Sequence, residues 1–246
     1  MSTFVLVHGG GHGGWCYKPV TERLRAAGHL VHAPSLTGLG ERAHRLDASI
    51  NLDTHVTDIA SLIEVEDLID VILVGHSYGG MVITGVADRV GDRIGNVVYL
   101  DAANPIDGQS LVDVAGPMML MARNMGEMRD GIELVLIPER TPPQFYGVTD
   151  PEQIAWMQGK LSPHPWACFE QPLMLRDPAA LARVPQSHIV CTSTLTTRDV
   201  EALKTASEGR FWDIDTGHDL MLTEPDKVTQ CLLEVAARAE HRKGQR

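Results

Sequence analysis

Short runs of consecutive apolar residues alternate, over the first hundred residues or so, with stretches whose apolar positions recur every three or four residues. The runs at residues 3–7, 71–74 and 96–101, with a second strand read at 29–33, are too short for buried helices. Each therefore predicts a strand covered on both sides. Between them, residues 15–27, 52–66 and 81–90 predict helices. Gly28 stops the first of these, and Leu52, Val56, Ile59 and Ile63 fall on one face of the second, with Asn51 placed to cap it. Residues 34–51, which include Gly38 and Gly40, predict a loop. Strand and helix taken in turn call for a parallel sheet with right-handed crossovers.

The alternation stops after Asp101. From about residue 104 to 185 there are prolines, a group of methionines (Met118, Met119, Met121, Met125 and Met128) and a short helix opened by Asp150, Pro151 and Glu152. Such an insertion predicts a cap over the strand ends. Met125, Phe145, Trp156, Trp166 and Phe169 then either line an adaptable apolar pocket or form the cap's own core. The regular pattern returns with a strand at 187–192, a helix at 199–206, a last strand at 210–214 and a helix at 220–238 entered through Pro225. The expected organisation is one structural domain, with residues 1–103 and 186–246 as the core and 104–185 as the cap.

Composition changes this picture little. A chain of 246 residues, 43% hydrophobic, can bury the core of one α/β domain, and a net charge of −11 argues against nucleic acid or an anionic membrane as partner. No run reaches transmembrane length and no signal-type segment opens the chain, so a cytoplasmic protein is expected. Cys16, Cys168, Cys191 and Cys231 are widely spaced, which predicts reduced, buried thiols rather than a zinc site or a disulfide framework.

Chemistry enters at the ends of the strands. The run at 71–74 leads into Gly75-His76-Ser77-Tyr78-Gly79, which fits G-x-S-x-G between a strand and a helix and makes Ser77 the candidate nucleophile. The first strand leads into His8-Gly-Gly-Gly-His-Gly-Gly-Trp15. The spacing G-x-G-x-x-G can be found there, but no acidic residue closes a strand about 20 residues on, as a dinucleotide site would need. The loop is therefore read as an oxyanion loop, in which the N–H groups of Gly10 and Tyr78 hold the negative oxygen of a tetrahedral intermediate. His8 and His12 are expected to brace that loop through hydrogen bonds, and His76 to pack beside the nucleophile. His218, in the turn after the last strand, is the candidate general base, and Asp101 ends a strand on a carboxylate.

With Ser77, an acid and then His218 each following a strand, the chain resembles the α/β-hydrolase superfamily over nearly its whole length. Within it, the chain is similar to the plant methylesterase and hydroxynitrile lyase branch and to small bacterial hydrolases of esters and carbamates. The motifs that carry this are His8-Gly-Gly-Gly-His-Gly-Gly-Trp15, Gly75-His-Ser-Tyr-Gly-Gly-Met81 and Thr216-Gly-His-Asp219. The resemblance implies a mostly parallel sheet of about six strands flanked by helices, with the cap inserted between the sixth and seventh family strands. It also implies that Ser77 attacks, that His218 relays the proton and that Gly10 and Tyr78 form the oxyanion hole. No cofactor or metal is expected, since these groups suffice.

The acid departs from the plant pattern. Those relatives carry an aspartate just after the strand at 187–192, where this chain has Thr194, and a neutral residue where it has Asp101. Asp101 is therefore the expected triad acid. Asp199 is the second candidate, and Asp215 and Asp219 follow. The expected activity is hydrolysis of a small apolar or aromatic ester through an acyl-enzyme, with a carbamate or amide as the nearest alternative. A carbon–carbon lyase comes next: the lyase relatives have a threonine and a lysine where this chain has Gly9 and Asp219, and a carboxylate there would repel an anionic leaving group. A non-catalytic ligand receptor is the last alternative. Oligomeric state is not legible.

Overall fold

The computed structural model describes residues 1–244. Along the first part of the chain, β1 (Thr3–Val7), α1 (Lys18–Ala26), β2 (Leu30–His32), α2 (Leu52–Val65), β3 (Val71–His76), α3 (Gly79–Arg89) and β4 (Ile94–Leu100) follow one another in the order that the hydrophobic pattern predicts. Two short 3-10 helices are additions to that pattern. Gly14–Tyr17 forms a turn of its own before α1, and Gly40–Arg45 lies within the stretch expected as loop. Asn51 does cap α2. Its side chain accepts from the Thr54 N–H, while the Thr54 hydroxyl accepts from the Asn51 N–H, so two otherwise orphaned donors are satisfied at once.

The insertion holds α4 (Leu111–Asn124), β5 (Glu127–Arg129), β6 (Ile132–Val135), α5 (Pro151–Met157), β7 (His164–Pro165), α6 (Ala167–Glu170) and α7 (Pro178–Leu181). Its three strands form a small antiparallel sheet in the order β5-β6-β7. The β5–β6 hairpin was not expected from the sequence. It turns on Asp130 and Gly131, both at positive φ (52° and 79°), as a two-residue turn that matches strand twist requires. Asp150 caps α5 by accepting from the Gln153 N–H.

The chain closes with β8 (Gln186–Cys191), α8 (Val200–Ala206), β9 (Phe211–Ile214), α9 (Leu220–Thr223) and α10 (Pro225–Gly244). The single last helix read from the sequence is thus two, because Glu224 leaves the helical region at φ −133° before Pro225 starts α10. All six core strands lie parallel in the order β2-β1-β3-β4-β8-β9.

Successive strand residues point to opposite faces, and both faces are covered. Val5, Val7, Leu73, Val97 and Tyr99 pack with Val56 and Ile59 of α2 and Ile83 of α3. Phe4, Leu6, Ile72, Val74, Val98 and Leu100 pack with Val20 and Leu24 of α1 and Val228 and Leu232 of α10. Each of these side chains contributes roughly 1.5–3 kcal/mol by leaving water, so both layers are needed for a stable sheet. Because every core strand runs the same way, the segments leaving β1, β3, β4, β8 and β9 emerge at one edge, where open α/β sheets bind ligands. Among the described residues no helix is long and apolar enough to cross a membrane. All four cysteines are unpaired and buried.

Candidate active site

Ser77 follows β3 with φ at +54°, in the left-handed region that a non-glycine residue occupies only at a cost. Surrounding main chain holds it there. The Ser77 carbonyl accepts from the N–H of Gly80 (3.0 Å) and from that of Ala103 (3.0 Å), so the elbow is tied to the segment leaving β4. Gly80 makes this approach possible, since a β-carbon there would lie 1.9 Å from the Ala103 carbonyl oxygen.

That segment begins with Asp101, also left-handed at φ +44° and 1% exposed. Its Oδ2 accepts from His218 Nδ1 at 2.5 Å, and its Oδ1 accepts from the Thr194 hydroxyl (2.6 Å) and from Arg198 Nη2 (2.9 Å). The Cys191 thiol reaches Oδ2 at 3.1 Å. Burial alone would push the Asp101 carboxyl up, but its hydrogen bond to His218 and the charges of His218 and Arg198 outweigh burial and hold it well below the usual carboxylate range. Burial likewise pulls His218 down, yet the hydrogen bonds to Asp101 and Cys191 and the negative charge of Asp101 leave it raised. With Nδ1–H committed to the carboxylate, the neutral ring keeps Nε2 free of a proton, the state a general base requires. The His218 ring lies 4.6 Å from that of His76, the residue before Ser77, and His76 Nε2–H donates to the His218 carbonyl at 2.9 Å.

The loop after β1 is held by three histidines, one on each of three consecutive glycines. His8 Nδ1–H donates to the Gly9 carbonyl (2.8 Å), and its Nε2 accepts from the Leu36 N–H (3.0 Å). His12 Nδ1–H donates to the Gly10 carbonyl (2.8 Å), and His164 Nδ1 accepts from the Gly11 N–H (3.2 Å). The other His12 nitrogen donates to Asp219 Oδ2 at 2.9 Å. This ties the loop to the residue after His218. A β-carbon at Gly9 would stand 2.8 Å from Ser77 Cβ, so loop and elbow are in contact. Tyr78, next along from Ser77, donates its hydroxyl to His55 Nδ1 (2.9 Å), and His55 Nε2–H donates to the Thr37 carbonyl (2.9 Å).

The other residues singled out by sequence fall elsewhere. Asp199 caps α8 by accepting from the Ala202 N–H, and Asp215 accepts from the Thr192 hydroxyl. Asp219 is buried against His12 rather than turned to solvent. In the cap, Leu136 and Phe169 pack against Gly10, and Phe145 packs with the same core layer. Met125 follows α4 and is half-buried. Trp156 packs in the opposite layer, edge-on to Trp15 at 5.4 Å with the Lys160 ammonium over its face. Arg198, Thr194 and the His12–Asp219 pair were not anticipated. Thr194 had one visible signal, since it stands at the position that the plant relatives give to their acid.

Among the described residues, two groups of side chains bring three possible metal-ligand atoms within 4.8 Å of one another: His55, His164 and Cys168, and Asp101, Cys191 and His218. In the first, both His55 nitrogens are already hydrogen-bonded. The second is the acid–histidine pair itself.

The profile of the alpha/beta hydrolase family matches residues 4–230. A carbendazim hydrolyzing esterase from Nocardioides sp. is 42% identical over 181 residues, which span 71% of this chain and 74% of that protein. Methyl jasmonate esterase 1 from Vitis vinifera is 34% identical over 164 residues, 65% of this chain and 60% of that protein. Among solved structures, an extracellular alpha/beta-hydrolase from a Paenibacillus species superposes with a TM-score of 0.78 at 24% identity, covering 95% of this chain and 98% of its own. A methylesterase from Arabidopsis gives 0.75 at 25% identity, covering 96% and 99%.

Proposed function

Since this chain belongs to the alpha/beta hydrolase family, we propose that it is a serine esterase in which Ser77, His218 and Asp101 form the catalytic triad. The observation that carries this is the 2.5 Å bond from His218 Nδ1 to Asp101 Oδ2, at the sheet edge where Ser77 stands on its left-handed turn. His218 Nε2 takes the Ser77 proton as Oγ attacks the ester carbonyl, while Asp101 holds the ring and stabilises the imidazolium. The oxyanion is received by the N–H groups of Gly10 and Tyr78, the first in the loop that three histidines fix and the second at the start of α3. Collapse of the tetrahedral intermediate breaks the bond to the alcohol, which leaves with the proton from His218. Water then attacks the acyl-enzyme by the same relay and frees the acid and Ser77.

The substrate proposed is a small apolar or aromatic ester, and no cofactor takes part. Relatives named for carbendazim and for methyl jasmonate support that class. A carbamate or amide would pass through the same tetrahedral geometry. The lyase alternative is weaker, though for a different reason than the sequence suggested. Asp219 is fully buried with its Oδ2 hydrogen-bonded to His12 Nε2, so it does not stand ready to repel a leaving group. What counts against a lyase is Gly9, where a threonine β-carbon would crowd Ser77 Cβ at 2.8 Å and His76 Nδ1 at 2.9 Å. Four reduced, buried thiols fit the cytoplasm as the place of work.

The test is turnover of p-nitrophenyl esters of increasing acyl length by the wild type and by Ser77→Ala. Hydrolysis by the wild type, with at least about a thousandfold loss in Ser77→Ala, is the expected result. Equal turnover by both would overturn the proposal.

A further inference from the structure

We propose that Arg198 is a positioning residue for the triad acid, and that by sharing the charge of Asp101 it sets the pH above which His218 can act as base. The inference rests on the esterase reading. One guanidinium makes three contacts around the acid. Nη2 donates to Asp101 Oδ1 at 2.9 Å, Nη1 to the Ala102 carbonyl at 3.1 Å, and Nε to the Thr194 hydroxyl at 3.3 Å. Thr194 in turn donates to the same Asp101 oxygen at 2.6 Å. The carboxylate, the main chain just beyond it and the neighbouring hydroxyl are thus held by a single planar fork. Lysine, a point charge on a flexible stem, cannot reproduce that arrangement.

The need for such a clamp is visible in the backbone. Asp101 sits at φ +44°, in a region where L residues are strained, and it lies on the tip of β4 rather than after β8. Arg198 comes from the segment after β8, where the plant relatives carry their acid. That segment here supplies Thr194 and Arg198, two donors to an acid placed on the adjacent strand.

The electrostatic consequence comes from the order of the charges. Arg198 and His218 address different oxygens of one carboxylate. The cation draws on the negative charge that would otherwise belong to the imidazolium alone, and it repels the imidazolium as well. Both effects favour neutral His218, the form that accepts the serine proton. The other titratable groups around the pair are the Cys191 thiol on β8, His76 on β3, Asp219 in the turn after β9 with His12 behind it, and His188 on β8. Asp219 accepts from His12 and, like Asp101, raises His218, while His76 and His188 are held neutral by burial. Arg198 is thus the cation set directly against the acid. Its side chain is 21% exposed, so water and salt weaken its field without removing it.

The experiment is the pH dependence of kcat/KM on a p-nitrophenyl ester for the wild type, Arg198→Gln, Arg198→Lys and Asp101→Asn, with a melting curve for each. In Arg198→Gln the acid limb should move up by about one pH unit, since a unit charge on the far side of one carboxylate, at an effective dielectric near 20, is worth roughly that much after screening. The plateau should fall about tenfold as the acid loses its clamp. Arg198→Lys keeps the charge but not the fork, so its acid limb should stay near the wild-type position while its plateau is lowered. This variant carries the test if Arg198→Gln fails to fold. An unchanged acid limb and plateau in Arg198→Gln, beside a collapse in Asp101→Asn, would overturn the role of Arg198 and leave the triad standing. Displacement of the Arg198→Lys limb as far as that of Arg198→Gln would overturn the charge argument. Wild-type turnover in Asp101→Asn would instead overturn the triad on which the inference rests.

Discussion

Two histidine–carboxylate pairs meet at the turn after β9, and they do different things. In the first, His218 gives one ring nitrogen to Asp101 and keeps the other for chemistry; its side chain is 24% exposed and its acid is shared with Arg198 and Thr194. In the second, His12 faces acceptors at both nitrogens, the Gly10 carbonyl and Asp219, and both partners are out of water. A ring whose two nitrogens are both held in hydrogen bonds has none free for proton transfer. The second pair is therefore a strut between the loop after β1 and the His218 turn, while the first leaves Nε2 available, as the proposed relay requires. The lesson is that proximity of a histidine and an aspartate does not mark an acid–base pair; the free ring nitrogen does.

Four substitutions or conditions would break that contrast or sharpen it. The largest effect belongs to the relay: Asp101→Asn should lower kcat by about four orders of magnitude, from loss of the right tautomer and of imidazolium stabilisation, with a melting temperature close to wild type. Steady-state kinetics beside a thermal melt checks this. The strut should behave in the opposite way. Asp219→Asn leaves a buried His12 nitrogen facing an amide instead of a carboxylate and should cost roughly 2 kcal/mol of stability in chemical denaturation, with turnover of the folded protein within about tenfold of wild type.

Next in size is the response to acid. Burial lowers His8 and His76 to about 3 and His55 and His188 to about 4, and it lowers His164 as well. As pH falls below about 6.5 the unfolded chain takes up protons that these folded-state rings refuse, so each can remove up to about 1.4 kcal/mol of stability per pH unit. His218 works against this trend, because its raised folded-state value makes its contribution fully present below about 6.5 and lost only as pH rises. Asp101 and Asp219, both lowered, contribute above the ordinary carboxylate range and lose that contribution as pH falls through their folded values. The histidines outnumber the opposing group. Melting temperature should therefore fall steeply between about pH 6.5 and about pH 5, and a flat profile there would contradict their buried neutral state. The smallest effect is that of Thr194→Val, which removes one hydrogen bond from the acid and should reduce kcat about fivefold, near 1 kcal/mol.

The residues of the proposed relay could be named from the sequence, and those of the strut could not be paired from it. Ser77, Asp101 and His218 each follow a run of apolar residues, so a local pattern places all three at the same sheet edge once the strands are known to be parallel. The register of β3 with β4 and of β4 with β8 brings Asp101 within reach of His218, whereas Asp199 caps a helix. His12 and Asp219 are 207 residues apart and belong to no shared motif, so only the folded chain could pair them. Arg198 and Asp101 are 97 residues apart and likewise share no motif. The β5–β6 hairpin was a different kind of omission: Asp130-Gly131 is a strong turn signal, but its flanking strands are three and four residues long and carry no clear alternation. The cap as a whole lacks the periodicity that made the core readable, and for that reason Trp156, named beside Phe145 as a pocket residue, lies in the opposite packing layer.

The measurement that bears most directly on the account is the rate and site of phosphonylation by a fluorophosphonate in the wild type, Asp101→Asn and Asp219→Asn, each folded under the same conditions. The account predicts one label per chain, on the peptide containing Ser77, with turnover lost as the label is gained. Labelling should be slowed by orders of magnitude in Asp101→Asn and changed little in Asp219→Asn. Labelling of a residue other than Ser77, or equal slowing in the two variants, would contradict it.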